Sequence, residues 1–157
     1  MGSVEGEIRA LGLEFPARND GKSGVIESAR KVGDLIFVSS HGPQRPGGSM
    51  AYTGKLGKDI DIEQGYKAAE LCALSCLGSV RTVVDSLDQV EIVTVRGFVN
   101  SASSDFFDQP KVMNGASELL LELFGERGRH VRTAIGTSVL PGNIPVEVQM
   151  AVRVFAE

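Results

Sequence analysis

Apolar residues recur every third or fourth position between 61 and 87. Ile62, Tyr66, Ala69, Cys72, Ala73, Cys76, Leu77, Val80, Val84 and Leu87 make one stripe, which predicts an amphipathic helix over 61–87. Asp61 stands at its N-cap, and Gln64 three residues on completes the spacing of a capping box. A second stripe, Val112, Met113, Ala116, Leu119, Leu120 and Leu123, predicts another helix, with Pro110 in its first turn and Gly125 at its end. Between the helices the period changes. Leu35-Ile36-Phe37-Val38 is a continuous apolar run and predicts a buried strand. Residues 91–99 alternate and carry β-branched side chains, which predicts a strand. Residues 131–139 and 145–155 predict two more. In the last, Val146, Val148, Met150, Val152 and Val154 share one face, and Glu147, Gln149, Ala151, Arg153 and Phe155 share the other. Gly and Pro mark loops at 19–24, 42–49 and 140–143.

The order is strand, helix, strand, helix, strand, strand, with at least one further strand ahead of Leu35. It predicts a single α/β domain over 1–157, with parallel crossovers and helices on one sheet face. The other face then lacks a cover, and a second copy of the chain is the simplest one.

Composition narrows the function. At 157 residues one core suffices without staples. The net charge of −4 opposes a nucleic-acid surface, which needs a basic face. No run approaches the ~20 apolar residues of a membrane helix, and the first residues lack the pattern of a signal peptide or a myristoylation site. Cys72 and Cys76 fall on one helix face as core residues, too few for a disulfide framework or a structural zinc site. A cytosolic protein without a metal is the expectation.

Five positions carry candidate chemistry or come to carry it through a resemblance. Arg132 begins a strand among apolar and small neighbours. Its planar fork suits a carboxylate, and the alternative is a structural ion pair or a solvated edge arginine. Glu147 opposes the valine row of the last strand. It could orient or deprotonate a water if that face lines a cleft, and is otherwise a solvent-facing glutamate. His41 follows a buried strand into a Gly/Pro loop. It could exchange a proton near neutral pH, or simply bond to backbone. The run Arg127-Gly128-Arg129-His130 could meet phosphate but more often forms a solvated turn.

The blocks Val32-Gly33-Asp34-Leu35-Ile36-Phe37-Val38-Ser39-Ser40, Val131-Arg132-Thr133-Ala134 with Leu140-Pro141, and Val146-Glu147-Val148 resemble the RidA (YjgF) family of imine deaminases. The resemblance implies a chorismate-mutase-like mixed sheet with two helices on one face, assembled as a homotrimer with clefts between subunits. It implies that the last strand inserts between earlier ones, so that Arg132 and Glu147 border one cleft. Matched by position, Arg132 would grip a substrate carboxylate, Glu147 would serve the attacking water, and Ser39 and Asn114 would line the site. The implied reaction is cofactor-free hydrolysis of amino-acid-derived imines or enamines to keto acids and ammonia. The chain departs from the pattern. Ile26 stands about where the archetype has tyrosine, Ala134 replaces a cysteine, Ser40-His41 replaces Gly-Gln, and His130-Val131 replaces Pro-Ala. His41 could supply a replacement proton donor. A non-catalytic sensor of a small carboxylate is the competing reading, and an endoribonuclease the third.

Overall fold

The computed structural model describes residues 2–17 and 24–155. The loop expected at 19–24 lies, apart from Gly24, outside them. Eight elements follow one another: α1 (Val4–Ala10), β1 (Ala29–Val32), β2 (Leu35–Val38), α2 (Ile62–Val80), β3 (Val90–Asn100), α3 (Gln109–Phe124), β4 (Val131–Thr137) and β5 (Val146–Val154). The strands form one mixed sheet in the order β1-β2-β5-β3-β4. β3 and β4 are parallel, as a connection through a helix requires. β5 runs antiparallel to both its neighbours, β2 and β3. β2 and β3 therefore point the same way but never touch, because the last strand inserts between them.

Both long helices lie on one face. Val146, Val148, Met150 and Val152 are buried beneath them, as are Val95, Val99, Val112, Met113, Leu120 and Leu123. Cys72 and Cys76 lie on the α2 face towards β5, where their thiols donate to the carbonyls of Val146 and Val148. Both are fully buried, and burial pushes both thiols up, out of the range in which a cysteine ionises readily. They are core residues.

α2 starts as expected and stops early. Gln64 N–H donates to Asp61 Oδ1 at 2.8 Å, and Asp61 N–H donates to Gln64 Oε1 at 3.0 Å. The helix then ends at Val80 rather than Leu87. Thr82 turns its hydroxyl onto the carbonyl of Ser79, the β-branched pair Val83-Val84 follows, and Ser86 caps a short 3-10 turn over Leu87–Gln89. Hydroxyl competition and stiff β-branched side chains both work against another helical turn. Asp61→Ala removes the cap, and about 1 kcal/mol of stability should be lost, read as a lower urea midpoint at unchanged slope.

α1 is an addition to the expected layout. Ser3 caps it, and Val4 and Ile8, four apart, are its buried residues. It is tied to the Leu87 turn by Val4 N–H on Asp88 and by Leu87 N–H on Glu5. The strand at Leu35–Val38 is also less buried than its run of four apolar residues suggests. Ile36 and Val38 face the helices, while Phe37 is 53% exposed on the opposite face. That second face carries Phe37, Thr94, Arg96, Phe98, Glu147, Gln149 and, on β4, Val131 and Ile135, by strict alternation from their buried neighbours. Among the described residues no helix covers it.

Candidate functional site

β4 is an edge strand, and its parallel pairing places Arg132 opposite Val95. Val95 belongs to the helix-side core, so Arg132 points to that side too and meets α3. There its Nη1 donates to Asn114 Oδ1 at 2.9 Å and to Ser117 Oγ at 3.2 Å. Asn114 and Ser117 are three apart on α3 and so share one helical face. Both acceptors are neutral. Among the described residues no carboxylate pairs with Arg132, and no hydrogen bond engages its Nε or Nη2. The second edge of the fork is available to an outside anion.

His130 completes this group. Its Nδ1 is 2.7 Å from the carbonyl oxygen of Gly128, which can only accept, so Nδ1 carries the proton. Nε2 is then the acceptor and receives the Ser117 hydroxyl at 3.0 Å. Burial, with Arg132 adding to it, holds the imidazole below its usual pKa against the opposing pull of the Gly128 carbonyl, which favours the neutral ring near pH 7. Ser117, Leu121, Gly128, Arg129, His130 and Arg132 surround an open cavity of about 260 Å³. The basic run 127–130 is thus divided between tasks. Arg127 donates to the carbonyls of Asp88 and Val90, Arg129 pairs with Glu126, and His130 turns inward.

The other expected site residues are elsewhere. Glu147 is paired with Phe98 on the uncovered face, half-buried, and has no ion-pair partner among the described residues. Partial burial raises its carboxyl above the usual range. Arg132 and Glu147 are two strands apart and displaced by three residues along β3, roughly 14 Å between Cα atoms, on opposite sheet faces. One chain does not bring them together. His41 is bridged to Val148 through both backbone groups, and its ring Nε2 lies 2.8 Å from Ser79 Oγ on α2. It lines a different concavity of about 480 Å³ with Ser28, Gln44, Ser75 and Thr82. Burial lowers its pKa. Ser39 donates its hydroxyl to the carbonyl of Glu27, tying the end of β2 to the preceding segment. The 42–49 loop folds on itself: Arg45 N–H donates to Ser49 and Gly48 N–H to Arg45, and the Arg45 guanidinium donates to the carbonyls of Met50 and Ala51.

Of the five expected residues, then, Arg132 and Asn114 meet and the other three do not join them. Ser117 and His130 are in the site and were not singled out together. The i, i+3 spacing of Asn114 and Ser117 was the available signal for one of them. The sequence marks a turn at 127–130, but its pattern does not place His130 back against α3.

Known proteins agree with this architecture. A family model described as "YjgF/chorismate mutase-like, putative endoribonuclease" matches residues 5–157. Protein TCP17 of Trypanosoma cruzi is 36% identical over 155 residues, covering 97% of this chain and 94% of its own. A crystal structure from Shewanella oneidensis MR-1, which carries the same endoribonuclease wording, superposes with a TM-score of 0.90 at 30% identity, over 98% of this chain and 100% of its own. The Agrobacterium tumefaciens protein Atu1372, described as of unknown function, gives 0.87 at 34% identity over 97% and 92%.

Proposed function

This chain belongs to the YjgF/chorismate mutase-like family, and from that footing we propose that it hydrolyses small carboxylate-bearing imines or enamines to keto acids and ammonia. One observation carries the reading: Arg132 is fixed by two neutral acceptors on α3, and no described residue engages the other edge of its fork. Such an arginine is set for a carboxylate, which it would orient with the imine carbon held for attack. Water adds to that carbon while Glu147 accepts its proton. Glu147 passes that proton to the nitrogen to give the carbinolamine, which then loses ammonia: the C–N bond breaks, the C=O bond forms, and the hydroxyl proton passes through Glu147 to the departing nitrogen.

Arg132 and Glu147 need two chains for this. The uncovered sheet face that carries Glu147 also exposes Phe37, Val131 and Ile135, an apolar surface suited to a second copy. A homotrimer with clefts between subunits would set Glu147 of one subunit near Arg132 of the next. His41, turned against Ser79 on the helix side, takes no step in this scheme. A cytosolic setting completes the proposal, and no helix of the described residues is long and apolar enough to cross a membrane. The net charge of −4 speaks against RNA as the substrate.

The test uses 2-iminopropionate generated in situ, with pyruvate as the readout. Native protein accelerates its formation; no acceleration overturns the imine reading. Arg132→Ala and Glu147→Gln are each inactive, and subunits of the two refolded together at equal ratio recover roughly a quarter of native activity, since about a quarter of shared clefts receive both native residues. Absence of recovery would rule out the shared cleft. A binding-only reading has its own support, because Ala134 packs against the core where the archetype carries a thiol, and Ile26 is an exposed apolar residue where it carries a phenol. It predicts no turnover but thermal stabilisation by small carboxylates, lost in Arg132→Ala.

A further inference from the structure

The Ser117, His130 and Arg132 group can do more than hold an anion. We propose that Ser117 is an activated nucleophile with His130 as its general base, which makes the cavity at the β4 edge an acyl-transfer site for small carboxylic esters. Every hydrogen in the group has a defined place. The Gly128 carbonyl takes the Nδ1 proton and so fixes the tautomer. Nε2 is left as a base facing the Ser117 hydroxyl. This is the arrangement that a serine–histidine pair needs, with a backbone carbonyl in the orienting role that a carboxylate often fills. The tautomer follows from the acceptor alone.

Arg132 supplies the third part. Its Nη1 is 3.2 Å from Ser117 Oγ. A cation there favours the developing negative charge, and the edge of its fork that no described residue engages is left to meet the oxyanion of a tetrahedral intermediate. Access is also provided. Ser117 is half-buried rather than enclosed, and the cavity of about 260 Å³ opens beside it. The molecule's other serine–histidine contact, Ser79 with His41, lacks this definition: no hydrogen bond among the described residues fixes the His41 tautomer, and Ser79 is only 7% exposed.

The steps balance. Ser117 Oγ bonds to the ester carbonyl carbon as its proton passes to His130 Nε2. The C–O bond to the alcohol breaks, and the alcohol leaves with that proton. Water then attacks the acyl-serine, giving its proton to Nε2, and the acid departs as Ser117 recovers its hydrogen. No cofactor, oxidant or metal enters.

This proposal goes beyond imine hydrolysis and shares with it Arg132 and the Ser117 hydroxyl that helps to hold it. Its test reads covalent chemistry directly and is independent of the imine assay. Native protein is treated with diisopropyl fluorophosphate, and the adduct is located by intact mass and peptide mapping. The expected result is one adduct per chain, on Ser117, absent in Ser117→Ala and formed at least ~100-fold more slowly in His130→Gln. p-Nitrophenyl acetate should be turned over by native protein and not by Ser117→Ala. A second variant guards against a folding artefact. In Ser117→Cys the new thiol should react with iodoacetamide faster than free cysteine at pH 7, and His130→Gln in that background should remove the advantage. Cys72 and Cys76, both fully buried, contribute little background. No adduct on native protein, an adduct confined to another serine, or equal labelling with and without His130 would overturn the assignment.

Discussion

Replacing Arg132 with alanine should lower kcat/KM for 2-iminopropionate by at least ~100-fold, equivalent to about 2.7 kcal/mol of lost transition-state stabilisation. The argument is geometric. Nη1 of Arg132 is committed to Asn114 and Ser117, so the guanidinium is held before any ligand arrives. A preset fork loses little side-chain freedom on binding, and a charge-assisted pair made in a partly desolvated cleft is among the stronger polar contacts available. Arg132→Lys should recover little, because an ammonium offers a point charge without the fork and cannot bond to Asn114 and the ligand in the same plane. The pH profile of native protein checks the partner residue. In the proposed mechanism Glu147 acts in its ionised form, and burial raises its carboxyl above the usual carboxylate range. Activity should therefore fall as pH drops through that raised value, earlier than for an unperturbed glutamate, and this acid limb should vanish along with activity in Glu147→Gln. An Arg132→Ala enzyme with native kcat/KM would remove Arg132 from the site.

The second large effect is structural. Gly115 on α3 should not accept alanine: Gly115→Ala is expected to cost about 3 kcal/mol net and to lower Tm by roughly 6–12 °C. Two terms oppose each other. Alanine is favoured over glycine inside a helix by about 1 kcal/mol. Against that, a Cβ at position 115 would stand 2.0 Å from the backbone carbonyl oxygen of Tyr66 on α2. A flexible side chain could swing away, but a helix backbone cannot. The two helices would have to part by about an ångström, which loosens every contact along their crossing. Nearby, Gly65 packs similarly tightly, its absent Cβ falling 2.7 Å from Leu56 Cδ1. Overpacking therefore outweighs propensity. Urea or thermal unfolding followed by circular dichroism decides the matter, and a stabilised Gly115→Ala protein would show that the crossing can relax.

Much of this molecule is legible without coordinates. The period of apolar residues is a local quantity, and it locates α2, α3 and four of the five strands because burying one face is the dominant favourable term in folding. The Asp61–Gln64 box is equally local and marks the start of α2 to the residue. Where local signals compete, the reading slips. The stripe continues to Leu87 in sequence, yet Thr82 and the Val83-Val84 pair end the helix at Val80. α1 is only seven residues long with two buried side chains, too few to stand out as a period.

The site divides along the same line. The sequence by itself determined which residues had the right chemistry, and the family pattern picked out Arg132, Asn114 and Glu147. Which of them share a surface was decided by tertiary structure alone. Strand order is a long-range property: inserting β5 between β2 and β3 sets Glu147 two strands from Arg132, and alternation then sends the two side chains to opposite faces. No spacing along the chain encodes that separation. The pairing of Ser117 with His130 is decided in the same way. Residues thirteen apart meet because Gly128, whose Cβ would fall 2.2 Å from the Leu120 carbonyl, lets the turn after α3 pack against the helix that precedes it. Local periodicity fixes the elements, but the contacts that make chemistry depend on how those elements are folded back on one another.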